Sequence, residues 1–207
     1  RQRRQFRTSM KKCKTYQAWR GYAAELDKLE KNDVWRSKYE STAYDFEVLR
    51  AQIEHLRILR KDSKRYPELL STLRGMLSRS YAGLNAKELF GSSHLGTKHL
   101  VEQFQEEVKT TLHHVSNEPS FEILPAHERA QFFHHAKHSY GRTALCLSGG
   151  GALTMYHMGV VRSLINNQVM PSVISGTSGG SIVAGMLARY TDKEMIKHVL
   201  IDNISTK

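Results

Sequence analysis

The 207-residue chain predicts an α/β fold, a small parallel sheet led by an all-helical region, and three observations carry that prediction. Two short strand-like runs, Ala144–Leu147 and Val173–Ser175, each end in a glycine-rich turn: Gly149-Gly150-Gly151 and Gly176-Thr177-Ser178-Gly179-Gly180. Apolar residues at helical spacing follow both turns. Everything before about residue 118 reads as helices joined by short breaks. Two strand–turn–helix units in tandem place both turns at the same edge of a parallel sheet.

Residues Arg1–Lys14 form a basic run with Phe6 and Met10 interleaved. It reads either as a contact for an anionic surface or as a solvated lead-in to the first helix. Tyr16, Trp19, Tyr22, Ala23, Leu26 and Leu29 then mark a helix, with Thr15 as its N-cap. The aromatic stripe is expected to be core. Asn32-Asp33 should break that helix. Tyr44, Leu49, Ile53, Leu56 and Leu59 mark the next. Pro67 opens a third, because a missing N–H costs nothing in a first turn. That helix is expected to bury Leu69, Leu70, Leu73, Met76 and Leu77 and to run to about Gly83. A short helical piece covers 85–90. Thr97 is expected to cap a long helix carrying Leu100, Val101, Phe104, Val108, Leu112 and Val115.

Asn117-Glu118-Pro119-Ser120 is a loop signal and the expected boundary of the helical region, residues 1–118. Pro125 starts a linker helix within 119–141, with Phe132, Phe133 and Ala136 on it, and Gly141 stops it. The α/β part then occupies 142–207. The helix after Gly151 is apolar enough to be read as buried. A last helix opens with the capping box Thr191-x-x-Glu194.

The second turn fits the G-x-S-x-G elbow, with Gly176 and Gly180 framing Ser178. Such a turn presents the serine hydroxyl at a helix N-terminus, where dipole and free N–H groups favour an oxyanion. In Gly149, Gly150 and Gly151 main-chain N–H groups can converge on an anion without a Cβ in the way. A dinucleotide loop is the competitor, but G-x-G-x-x-G fails at Thr154, and no Gly-Lys-Ser/Thr ends a P-loop. An oxyanion hole facing a nucleophile accounts for both turns. Asp192 and His198 follow Ser178 in hydrolase order, yet they lie on a helix leading away and, six residues apart, do not share a face; both are read as surface residues.

These motifs resemble the patatin-like phospholipase domain: Gly149-Gly150-Gly151 with Gly159 downstream, then Gly176-Thr177-Ser178-Gly179-Gly180. Upstream, Trp19 to Trp35, Ser41-Thr42-Ala43-Tyr44-Asp45 and Gly96-Thr97-Lys98 resemble the helical region before that domain in the triacylglycerol lipase branch. That branch includes yeast lipid-droplet lipases and the plant sugar-dependent seed-oil lipase. The resemblance implies a patatin-like hydrolase sheet and a Ser-Asp dyad with Ser178 as nucleophile. It implies Gly149, Gly150 and Gly151 as the oxyanion loop, and no metal or cofactor. Leu153 and Thr154 stand where the commoner family loop has a basic residue and a glycine, a departure the lipid-droplet branch shares. The family's aspartate lies in an Asp-Gly pair, and this chain has none. It also opens on Arg1 rather than Met, so it is expected to be a fragment, inactive alone, of a protein whose aspartate lies elsewhere.

Hydrophobic content of 40% and charged content of 25% describe a folded chain. No run of some twenty apolar residues is present, as a spanning helix would need. A net charge of +11 suits nucleic acid or anionic lipid; with no nucleic-acid motif, a membrane or lipid-droplet surface facing the cytosol is the expected partner. The two cysteines, Cys13 and Cys146, are expected to stay unpaired, Cys146 in a buried strand. Of eleven histidines, His134, His135 and His138 read as a surface cluster rather than a metal site, and His157 as a hydrogen-bonded core residue. The expected function is hydrolysis of neutral-lipid acyl esters, chiefly triacylglycerol. A lysophospholipid acyltransferase or phospholipase using the same serine, a non-catalytic lipid-surface module and, more remotely, a nucleotide-binding domain are the alternatives.

Overall fold

A computed structural model describes residues 2–119 and 123–198, excluding the side chains of Asp192, Ile196 and His198. The chain divides into two compact units, Arg1–Tyr140 and Gly141–Lys207.

The first unit is helical. Helix α1 (Gln2–Lys12) packs on α2 (Tyr16–Glu30), with the Phe6 and Tyr22 rings 6.2 Å apart. Thr15 caps α2 as its sequence suggests, its side chain accepting from Ala18 N–H at 3.3 Å. The α2 stripe is only partly core. Ala23 and Leu26 are buried, whereas Tyr16, Tyr22 and Leu29 are exposed, because the basic α1 is the neighbour on that side and buries none of its own residues. Lys31, at φ 61°, ends α2, and Asn32 starts the short α3 (Asn32–Ser37) rather than a loop. The end of α2 is tied down by the buried Asp27, whose carboxylate accepts from the N–H groups of His94 and Leu95, both at 2.9 Å, and from Asn32 Nδ2 at 2.8 Å.

The core of this unit gathers Leu49, Ile53, Leu56 and Leu59 of α4 (Phe46–Leu59) with Leu69, Leu70, Leu73 and Met76 of α5 (Tyr66–Met76). Asp45 caps α4 through Val48 N–H at 3.0 Å. Pro67 lies in the first turn of α5, which stops at Met76, earlier than expected. Leu77 leaves helical geometry while staying buried, so no glycine or proline signals the stop. The short α6 (Glu88–Gly91) precedes α7 (His99–Ser116), which adds Val101, Phe104 and Val115 to the core. Thr97 does not cap α7; its hydroxyl is buried without a hydrogen bond among the described residues. Instead Glu102 reaches back to Thr97 N–H at 2.9 Å and pairs with Arg36, also at 2.9 Å. Burial pushes the Glu102 carboxyl up, but the Thr97 N–H and the Arg36 guanidinium outweigh it and hold it below the usual range. Glu107 on α7 is buried and takes both Arg57 (2.9 Å) and Arg60 (2.6 Å), the pairing a buried carboxylate requires. Helix α8 (Ala126–Tyr140) was expected to be a linker; its Phe132 is fully buried in this core, and the unit runs through it to Tyr140. His134, His135 and His138 are exposed on α8.

The second unit holds two parallel strands, β1 (Ala144–Leu147) and β2 (Val173–Gly176), in register from Ala144 opposite Val173 to Leu147 opposite Gly176. A 3₁₀ turn, Gly151–Met155, leads into α9 (Tyr156–Asn166). Helices α10 (Gly179–Ala188) and α11 (Asp192–His198) follow β2. The core is Leu147, Met158, Val161, Ile165, Val183, Leu187 and Met195. The segment after the glycine triplet is not buried throughout, as its composition suggested: Leu153, Met155, Tyr156 and Val160 are exposed and only one face of α9 packs. Cys146, expected inside, is exposed and unpaired, because it points away from the face that carries Leu147. The reading of Asp192 and His198 as surface residues falls on side chains outside the described ones. Among the described residues, no helix is long and apolar enough to cross a membrane, and no cluster of His, Cys, Asp or Glu could hold a metal ion.

Candidate active site

The two parallel strands end side by side, and so the turns that follow them meet. Thr177 N–H donates to Leu147 O at 3.0 Å, carrying the β ladder one residue into the second turn. The next residue, Ser178, sits at φ 53° and ψ −127°. A residue with a Cβ pays about 1–3 kcal/mol for such a backbone. The surroundings enforce it. Gly180 N–H donates to Thr177 O at 3.0 Å, Ser181 N–H to Ser178 O at 2.9 Å, and Ser181 Oγ to the same Ser178 carbonyl at 2.5 Å.

Two glycines make the corner possible. A Cβ on Gly176 would strike the Gly180 carbonyl and lie 2.7 Å from Ser181 Cα. One on Gly180 would strike Leu147 O and lie 2.6 Å from Ser148 O. Both are backbone collisions with no flexible side chain to yield. Helix α10 therefore starts directly against the end of β1, and Ser178, exposed, is presented at its N-terminus.

Gly149 is the point where the first turn touches the second. A Cβ there would lie 2.9 Å from Ser178 Cβ and 3.5 Å from its Oγ. Among the described residues, nothing accepts from the N–H groups of Gly149 or Gly150. Gly179 opens α10, and the first N–H groups of a helix have no partner within it. Free backbone donors thus flank the Ser178 hydroxyl from both turns. Gly151, at φ 55°, turns the chain into the 3₁₀ segment.

Two side chains hold the first turn in place. His157, half-buried on α9, donates through Nε2 to Ser148 O at 2.8 Å, which commits that nitrogen to the loop and not to Ser178. Thr154 is buried; its Oγ1 donates to Gly151 O at 2.7 Å, and its methyl carbon lies 2.5 Å from where a Cβ on Gly179 would be. Thr154 thereby contacts both turns. Its position was visible in the sequence only as a failed glycine, and the role of Ser181 left no signal in it. Ser178 Oγ itself makes no hydrogen bond to a described residue.

Comparison with known proteins follows the same division. The model for a domain of unknown function, DUF3336, matches residues 1–138, about two thirds of the chain. The patatin-like phospholipase model matches residues 145–207, the stretch that contains both turns. The chain belongs to the patatin-like family in which DUF3336 precedes the phospholipase domain. Triacylglycerol lipase ptl2 of Schizosaccharomyces pombe is 34% identical over 204 residues, which cover 99% of this chain and 32% of that protein. Patatin-like phospholipase domain-containing proteins of Coccidioides immitis and Meyerozyma guilliermondii are each 35% identical, over all of this chain and over 29% and 28% of theirs. This patatin-family chain thus spans about a third of the length of those relatives. No solved structure matches it.

Proposed function

We propose that this chain carries the nucleophile and oxyanion loop of a serine hydrolase that cleaves acyl esters of neutral lipid, triacylglycerol above all. The observation that carries the reading is Ser178, held at φ 53° against Gly149 and between free N–H groups. The patatin match over both turns and the lipase name of the Schizosaccharomyces relative support it.

In this reading Ser178 Oγ attacks the ester carbonyl carbon as its proton passes to a carboxylate base. The carbonyl π pair moves onto oxygen, and the N–H groups of Gly150 and Gly179 hold the resulting oxyanion. Collapse expels the alcohol, which takes the proton from the base and leaves as diacylglycerol. Water, deprotonated by the same base, then releases the fatty acid and restores the serine. Among the described residues no carboxylate hydrogen-bonds Ser178 Oγ, and in this reading the base is the aspartate of a Ser-Asp dyad. The Ser178 hydroxyl is exposed at the start of α10 and makes no hydrogen bond to a described residue, as a nucleophile awaiting its base requires.

The test is fatty-acid release from emulsified triacylglycerol by the complete natural protein beside its Ser178→Ala variant. The variant should lose at least about 10³-fold in turnover, as removal of a nucleophile does. Equal release by both proteins would refute the reading.

A further inference from the structure

We propose that the α1–α2 hairpin is a docking surface for anionic phospholipid, with α1 making the contact. The choice of lipid rests on the functional reading above; the surface itself stands on the structure. Helix α1 (QRRQFRTSMKK) carries five basic residues and no acidic one. Phe6, Ser9 and Met10, with Cys13 just beyond the helix, recur at i, i+3, i+4 and i+7, and all four are half-buried. That face is committed to α2, where Phe6 meets Tyr22. The apolar residues of this basic stretch are therefore unavailable for insertion into lipid, and what α1 offers outward is charge.

At 100° per residue, Arg4, Thr8, Lys11 and Lys12 share the opposite face, and all four are exposed. Arg7 beside them is held by Glu30 at 2.8 Å, and Arg3 donates to Leu29 O at 3.2 Å. Arg4, Lys11 and Lys12 have no carboxylate partner among the described residues. Three unneutralised cations on one face of a short helix would be self-repelling in isolation, and an anionic surface relieves that repulsion. The turn after α1 adds the exposed Lys14 and then Tyr16, 68% exposed, its ring stacked on Trp19 at 5.7 Å. An exposed tyrosine stacked on a half-buried tryptophan beside cations matches the headgroup layer of a lipid surface, where amphipathic rings settle. Nucleic acid would use the cations equally but gives the aromatic pair no comparable place on a duplex.

The full natural protein with Ser178→Ala, so that vesicles are not consumed, is mixed with phosphatidylcholine vesicles with and without about 30% phosphatidylserine. Sedimentation should show binding that depends on phosphatidylserine and fades at 0.5 M salt, where charges are screened within about 5 Å. Each basic residue near an anionic surface is worth about fivefold. Arg4→Glu with Lys11→Glu and Lys12→Glu should therefore weaken partitioning roughly 100-fold or more. The glutamine versions, which relieve repulsion and favour folding, should weaken it by a similar factor, and circular dichroism confirms that the helices remain. Tyr16→Ala should have a smaller effect, a few-fold. Undiminished binding by the folded triple variants overturns the proposal, as does equal binding to vesicles without phosphatidylserine. Displacement of vesicles by a short RNA duplex at equal charge concentration would reassign the face to nucleic acid. Hydrolysis of a water-soluble short-chain ester by the protein with Ser178 intact needs no surface and should survive the triple variants. If that activity is absent while vesicle binding persists, the enzymatic reading fails and the docking surface stands.

Discussion

In the helical unit Glu107 takes two arginines, Glu102 takes Arg36 and a backbone N–H, and Asp27 takes two N–H groups and Asn32. The βα unit differs. It leaves glycine N–H groups without acceptors among the described residues and holds Ser178 in a strained backbone. The helical unit pairs its buried carboxylates, while the Gln52 side-chain oxygen and the Thr97 hydroxyl are buried without a hydrogen bond among the described residues. The other keeps donors and strain at one corner. The difference separates residues that secure stability from residues arranged around a reacting atom.

Substitutions that move one property and spare the other can break the comparison. The largest stability effect is expected from Phe132→Ala. Removing a fully buried ring should cost about 3–5 kcal/mol, read by denaturant unfolding, with turnover per folded molecule unchanged. If turnover fell in proportion, the two units would not be functionally separable. Gly149→Ala should do the reverse. Its methyl would crowd Ser178, and esterase turnover should fall about 10²-fold while the unfolding midpoint moves little.

Thr154→Val keeps the shape and removes the hydroxyl. Loss of the Gly151 hydrogen bond should cost about 1 kcal/mol, and turnover should fall several-fold, because the loop that Thr154 holds against the second turn loosens. Thr154→Ser, which retains the hydroxyl, should recover most of it. The smallest effect is a pH dependence in the helical unit. The Glu102 carboxyl is held below its unfolded value, so its contribution is complete above the unfolded value of about 4.3 and is lost as pH falls through the folded value. The stability gap between the protein and Glu102→Gln should therefore narrow as pH falls from 6 to 3. A gap constant over that range would mean that Arg36 and Thr97 do not hold the carboxylate.

Much of the fold was written in local pattern. The apolar spacing of Leu49, Ile53, Leu56 and Leu59 and of Leu69, Leu70, Leu73 and Met76 names the buried faces directly, because a helix repeats every 3.6 residues and only one stripe can face inward. Thr15 and Pro67 mark helix starts by their own chemistry. The glycines of both turns and Ser178 are legible for the same reason: a sharp strand-to-helix corner admits few residue types. Tertiary structure decided the rest. Whether Tyr16 is core or exposed depends on which helix lies against α2, and no periodicity within α2 carries that information. Thr97 has the chemistry of a cap, but α7 starts one residue later, with Lys98 in the N-cap position, and the Thr97 N–H goes to Glu102, which Arg36, distant in sequence, also holds. Cys146 and Val160 look apolar enough to be buried, yet their exposure is fixed by which face of β1 and of α9 meets the small second core. Contact between Gly149 and Ser178 likewise arises only when two strands 29 residues apart pair in parallel register, since pairing, not proximity along the chain, sets the two turns side by side.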